Sequence, residues 1–306
     1  MEINLSTFPD GLFQYGGQPV GALWASPWSK VYFVDGVDGA DSLDGLKPTQ
    51  AKKTIGAAIA VAARGDVIYV RPKAYTLGTG LDRYTETAST ALAQSDLTII
   101  GVTAGIQNTF GPKWSYVSSG YALVNIAPAL HIENMAFFGE GATGCINTVG
   151  DANVSKVGGN GLCIYNCNIK GGQLIMTNGF DGAVIQNNVF TASTAGDLLC
   201  GIVSTNTGSY PGRRLIIKGN TFWNSNGTAS GGPIITIGTH GTEILIAGNY
   251  FDIVPSTGKY ILGSGTLTGL VADNFFNDAD VNVTGDLTLA GLLCAGNYDN
   301  SNAIVA

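Results

Sequence analysis

The chain is short of charge: only 12% of its 306 residues are Asp, Glu, Lys or Arg. With 45% hydrophobic residues as well, this excludes a disordered polypeptide, which needs low hydrophobicity and high net charge. The net charge of −7 leaves no basic face for a phosphate backbone, so no nucleic-acid partner is expected. No apolar run reaches the roughly 18 residues that span a bilayer, so no membrane partner is expected either. The opening Met1-Glu2-Ile3-Asn4-Leu5 has neither the basic nor the apolar segment of a secretory signal. Cysteines number five, and most sit inside strand-like runs where a thiol acts as a small apolar side chain. They read as reduced and buried, in a protein made in a cytoplasm. The two histidines, His131 and His240, are isolated, and no paired CxxC, Ser-His-Asp spacing or phosphate-cradling glycine motif occurs. No cofactor, metal or catalytic residue is therefore expected, although sites on a repetitive fold can be assembled from distant segments.

What is abundant is glycine, 44 residues, and a recurring phrase. From about residue 97 onward an aliphatic residue is followed by two spacers, often an asparagine, one spacer and usually an aromatic. The later copies are Ile185-Gln-Asn-Asn188-Val-Phe190, Ile217-Lys-Gly-Asn220-Thr-Phe222, Ile246-Ala-Gly-Asn249-Tyr-Phe251 and Val271-Ala-Asp-Asn274-Phe-Phe276. Cys294-Ala-Gly-Asn297-Tyr-Asp299 closes the series, and earlier copies place Met135 and Cys167 where asparagine would stand. The interval is 21 to 33 residues, which marks stacked units sharing one core. Strands pair about 4.8 Å apart, so about eight coils predict a rod of roughly 40 Å. Each coil needs a second strand before the phrase, as in residues 201–205, 233–237 and 260–262. Asn188, Asn220, Asn249, Asn274 and Asn297 are expected to form an amide ladder at a turn, where asparagine tolerates left-handed geometry and offers donor and acceptor. Phe190, Phe222, Phe251 and Phe276 are expected to stack inside. Both ladders read as structural.

Ahead of the coils, Val31-Tyr-Phe-Val34 reads as a strand. A turn-rich loop follows with Asp35, Asp38, Asp41 and Asp44 at spacing three. Clustered carboxylates suit calcium, but the EF-hand spacing is absent and Asp-Gly pairs are ordinary turn formers. The turn reading is preferred and calcium stays open. Thr54 is a plausible N-cap for a helix near 54–63, and Asp66-Val-Ile-Tyr-Val70 is the next strand.

Tyr32-Phe-Val-Asp35, Gly39-Ala-Asp41-Ser-Leu-Asp44-Gly45-Leu46, Lys53-Thr54-Ile55 and Gly65-Asp66-Val-Ile-Tyr-Val70 resemble the N-terminal cap of the pectate-lyase-like right-handed parallel β-helix superfamily. The resemblance implies an all-β, single-stranded right-handed parallel β-helix, its first coil plugged by the one helix. It divides the chain into an irregular arm, 1–30, a cap, 31–96, and coils, 97–306. It implies no activity, because lyases, hydrolases and non-catalytic phage spikes share that fold.

With the anchor aliphatic facing inward, alternation turns the residue before it outward. These outward residues are His131, Cys163, Val184, Ile216, Leu245, Leu270 and Leu293, and the last five form an apolar stripe. The next outward row ends in Ala247, Ala272 and Ala295. A wet strand face should carry polar residues, so this face is expected to be covered, by the chain's own arm and loops or by further copies of the chain. Self-association as a parallel homotrimer is preferred, with Val184, Ile216, Leu245, Leu270 and Leu293 as the interface. Register places Asp181 beside Arg213, and Arg214 beside Glu243, as surface ion pairs rather than an acid/base pair.

Two functions compete. The segment Asn4-Leu-Ser-Thr-Phe-Pro-Asp-Gly-Leu-Phe-Gln-Tyr-Gly-Gly-Gln-Pro-Val20 resembles the N-terminal arms of some phage virion proteins. That favours a structural virion component, such as a capsid decoration, fibre or spike, whose arm contacts a capsid or tail protein. The alternative is a polysaccharide lyase or glycosidase of the tailspike depolymerase kind, or a non-catalytic glycan-binding module. Trp114, Trp223 and Tyr210 would then be its sugar platforms.

Overall fold

The computed structural model describes residues 13–15, 18–20, 29–73, 82–86, 90–102, 111–116, 121–139, 145–149, 158–177, 179–192, 201–205, 212–224, 233–238, 240–253, 259–278, 281, 286–301 and 304–305. The repeated phrase becomes two of the three strands of each coil. Its aliphatic residue lies in a first sheet, as in Val184–Gln186 or Ile216–Lys218. Its aromatic lies in a second, as in Val189–Ala192 or Thr221–Asn224. A third sheet holds the strand that precedes the next copy, such as Gly201–Thr205, Ile235–Ile237 or Ile261–Gly263. The sheets contain 11, 10 and 8 strands. Pairing between coils is parallel throughout the stack, the antiparallel exceptions being Phe13–Tyr15 with Gln18–Val20 and Asn297–Asp299 with Ile304–Val305. This is the parallel β-helix that the cap residues and the repeat implied.

Register is in step from coil to coil. Ile132, Ile164, Ile185, Ile217, Ile246 and Val271 pair in succession along the first sheet, and all are fully buried. In the second sheet Phe190, Phe222, Phe251 and Phe276 stack with ring centroids 4.9, 4.8 and 4.8 Å apart. That spacing is the coil repeat itself, so each ring meets the ring above it in the offset-stacked geometry that aromatic pairs favour. Asp299 takes the next place in that row and ends the stack.

The corner between the first two sheets explains the asparagines. Asn249 Oδ1 accepts from the backbone N–H and the Nδ2 of Asn220, at 2.9 and 3.0 Å. Its own Nδ2 donates to the Ile217 carbonyl and to Asn274 Oδ1, at 3.0 and 2.9 Å. The same arrangement runs from Asn188 to Asn297, and the Cys167 N–H donates into its first member. Left-handed backbone, however, is not found at the ladder asparagines. It falls one residue earlier, at Asn166, Asn187, Gly219, Gly248, Asp273 and Gly296, whose φ lies between 51° and 64°. The corner therefore asks two things of two adjacent residues. The first must tolerate positive φ, hence Gly, Asn or Asp; the second must supply the amide.

At the N-terminal end, helix α1 (Ile55–Val61) is capped by Thr54, whose Oγ accepts from the Ala57 N–H at 3.2 Å. The helix is shorter than the 54–63 expected. Ile55, Ala58 and Ile59 enter the same apolar cluster as the lumen residues, so the helix plugs the first coil. The outer edge of Val31–Val34 is also occupied, because Phe33 N–H donates to Gly45 and Phe33 O accepts from Lys52. At the other end Leu293–Ala295 is the last strand of the first sheet and, among the described residues, pairs on one side alone.

Candidate self-association face

The first sheet presents its outer face through two rows. The row predicted from alternation is in register: Thr98, His131, Cys163, Val184, Ile216, Leu245, Leu270 and Leu293 pair in turn. None of the five predicted interface residues points into the lumen. Val184, Ile216, Leu245 and Leu270 are half-buried between neighbours of their own row, and Leu293 is 71% exposed. Gln186, Lys218, Ala247, Ala272 and Ala295 form the flanking row, so its last three members are methyl groups.

Cover is uneven along the rod. At the first coils Val67, Tyr69 and Ile100 are buried on the outside of the sheet, in a cluster separate from the lumen that also takes in Val31, Phe33 and Val102. The face thus passes from closed at one end to open at the other.

Between the two regimes lies a polar group on the same rows. His131 Nε2 is 3.5 Å from Glu133 Oε2, and its ring lies 5.4 Å from that of Tyr165. Burial pushes the Cys163 thiol up, against the lowering effect of its hydrogen bond with Tyr165. Burial, then Cys163 and Glu133, push Tyr165 up to about 12. Burial and Glu133 do the same to Tyr69. Phenols and thiol are therefore neutral at physiological pH and add little charge to the face. Cys145 and Cys167 are enclosed in the core, where burial pushes each to about 12, so neither supplies a thiolate nucleophile.

Two of the four aspartates of the cap loop, Asp35 and Asp44, act as turn residues. Asp35 Oδ1 accepts from the Val37 and Asp38 N–H groups at 2.9 and 3.2 Å, and Asp44 Oδ1 accepts from Leu46 at 2.9 Å. Asp41 reaches across to the N–H groups of Lys53 and Thr54, each at 2.9 Å, tying the loop to the helix start. Arg71 pairs with Asp35 and with Asp38. Burial raises the Asp35 carboxyl, but the Val37 and Asp38 N–H groups and Arg71 outweigh it, leaving its pKa below the ordinary 3.8. Among the described residues no group of three His, Cys, Asp or Glu converges to hold a metal ion.

Other expected residues fall differently. Asp181 pairs with Arg214 at 3.4 Å, one residue beyond the Arg213 that simple register suggested. Arg214 itself has left-handed backbone. Trp114 is wholly buried in the lumen, packed against Phe137 with ring centroids 5.6 Å apart, and so cannot present a sugar platform. Trp223 does face outward, at 44% exposure. Tyr210, His240's side chain and the arm's contacts lie outside the described residues. Two features escaped the reading of the sequence. One is the buried Lys113–Asp82 pair, whose partners lie in different coils with no shared pattern. The other is an outward aromatic row on the second sheet, Tyr250, Phe275 and Tyr298, which the phrase encodes in the residue directly after each asparagine.

No family model and no curated protein sequence matches the chain. Among solved structures it is similar to a rhamnogalacturonan lyase, at 12% identity and a TM-score of 0.43. That likeness covers 89% of this chain and 74% of the lyase. At such values it bears on neither substrate nor activity, and the fold stands on the strand pairings above.

Proposed function

We propose that the chain is a non-enzymatic β-helical component of a phage particle, a decoration, fibre or spike protein, assembled as a parallel homotrimer. The first sheet's outer face forms the shared surface, and the arm of residues 1–30 contacts a capsid or tail protein. The observation that carries this reading is the unbroken aliphatic row from Val184 to Leu293, in register over five successive coils and opening to 71% exposure at its end. Fully burying one such side chain is worth roughly 1.5–3 kcal/mol, so a half-covered row leaves a substantial gain for association. A second copy of the same straight row supplies a surface of matching length and chemistry, and three copies close the contact around an axis.

The test is mass by light scattering over a concentration series, for wild type and Leu270→Glu. Wild type should have three times the chain mass. The variant would set carboxylates against one another in a desolvated contact, at a cost of several kcal/mol. It should dissociate with affinity reduced on the order of a hundredfold or more, while keeping its circular dichroism spectrum. A monomeric wild type, or an unchanged mass in the variant, rejects this face as the interface. Turnover of polysaccharides by the wild type would reject the non-enzymatic reading separately.

A further inference from the structure

Lysine and arginine together number only 15 in this chain, yet three of them meet on the outer face of the second sheet at its cap end. The strands are Arg83–Glu86, Lys113–Tyr116, Ala136–Phe138 and Asn168–Lys170. Tyr84, Trp114, Phe137 and Ile169 point into the lumen, so alternation turns Arg83, Lys113, Ala136 and Asn168 outward in one row. Ser115, Phe138 and Lys170 stand in the next. Arg83 Cζ lies 4.4 Å and Lys170 Nζ 5.9 Å from the centroid of the Phe138 ring, so one ring gathers cations from the first and fourth strands. Lys113, on the second strand, is buried and paired with Asp82. Among the described side chains this surface carries three cations to one carboxylate, on a chain whose net charge is −7. Beside them Asn168 is 9% exposed, and its Oδ1 is buried with no hydrogen-bond partner.

We propose that this surface docks an acidic peptide segment of a partner protein. Arg83 and Lys170 repel one another across the ring, and a carboxylate placed between them relieves that repulsion. The orphan acceptor decides among anions. Sulfate brings acceptors alone and would meet Asn168 Oδ1 with nothing to donate. An Asp or Glu within a peptide brings a carboxylate for the cations and a backbone N–H for the amide. The last three of these strands pair on both sides, so the peptide cannot add as a further strand there and is recognised through side chains. The inference is independent of the assembly proposed above, which uses another face.

Fluorescence anisotropy of a short labelled peptide of alternating aspartate and serine, titrated with wild type at low salt, tests it. That peptide should bind, a glycine–serine peptide should not, and added salt should weaken the binding. Arg83→Gln and Lys170→Gln should each raise the apparent dissociation constant about fivefold, the scale of one partly exposed ion pair. Lys170→Arg should keep most of the affinity, and Lys53→Gln, which removes an exposed cation of the cap, should keep all of it. Asn168→Ala should weaken binding while leaving its salt dependence unchanged. Circular dichroism establishes that each variant is folded. Absence of binding to the acidic peptide overturns the proposal, and so does undiminished affinity in both Arg83→Gln and Lys170→Gln. Binding of polygalacturonate in place of the peptide, lost in the same variants, also overturns it, because the surface would then read a sugar acid.

Discussion

Replacing Asn249 by alanine should destabilise the rod more than any surface change. The substitution removes four hydrogen bonds at once. The Asn220 N–H and Nδ2 lose their shared acceptor, while the Ile217 carbonyl and Asn274 Oδ1 each lose one donor. The bond from the Asn249 N–H to Asn274 Oδ1 survives, because it belongs to the backbone. Asn249 is 1% exposed and Asn220 and Asn274 are 1% and 0% exposed, so water cannot readily replace what is lost. A typical bond contributes about 1 kcal/mol net, and a buried group left unpaired costs about 1–3 kcal/mol. Four bonds sharing two stranded groups therefore predict a loss of about 3–5 kcal/mol. Asn249→Asp should be at least as damaging, since a carboxylate cannot donate to Ile217 or Asn274. Urea unfolding followed by far-ultraviolet circular dichroism measures the loss, and hydrogen exchange at Asn220 and Asn249 locates it. A loss below about 1 kcal/mol in Asn249→Ala would refute the view that the ladder is an energetic spine.

Two other outcomes are expected. Phe222→Ala empties the middle of the ring stack, where both neighbours lie 4.8–4.9 Å away; it should cost about 3–5 kcal/mol by the same denaturation assay, and a near-neutral result would mean the lumen collapses onto the gap. Asp35, whose folded pKa is depressed, gives the cap stability that is complete above its ordinary value of 3.8 and is lost as pH falls through the lower folded value. Melting of wild type between about pH 5 and about pH 2.5 should therefore lose more than melting of Asp35→Asn, and parallel curves would remove Asp35 from the account.

Much of the architecture could be read from residues because a stacked repeat turns sequence spacing into spatial register. Ile185, Ile217 and Ile246 share a row since each lies at the same distance from its own asparagine and aromatic. The outward row from Val184 to Leu293 follows from alternation alone. What failed needed knowledge of the corner. Nothing in the phrase says whether Gly219 or Asn220 takes the left-handed conformation, and the Asp181 partner, Arg214 rather than Arg213, sits at a separate left-handed position that the phrase does not include. Trp114 was misplaced for a related reason: it belongs to the early coils, where no asparagine marks the corner and the inward position is unlabelled. The degree of cover on the outer face was illegible because it depends on segments remote in sequence, as the contrast between buried Val67 and exposed Leu293 shows.

The two ends of the rod are not equivalent, and that difference limits how copies can join lengthwise. At one terminus the edge of Val31–Val34 is bonded to residues 45–52 and the lumen is stoppered, so another rod finds no free amide row on the first sheet there. Among the described residues, strand Leu293–Ala295 keeps a row open at the opposite terminus. Head-to-tail stacking into an indefinite fibre would require both termini to be adhesive. With its edge at one terminus occupied, the first sheet cannot continue from rod to rod in a head-to-tail series.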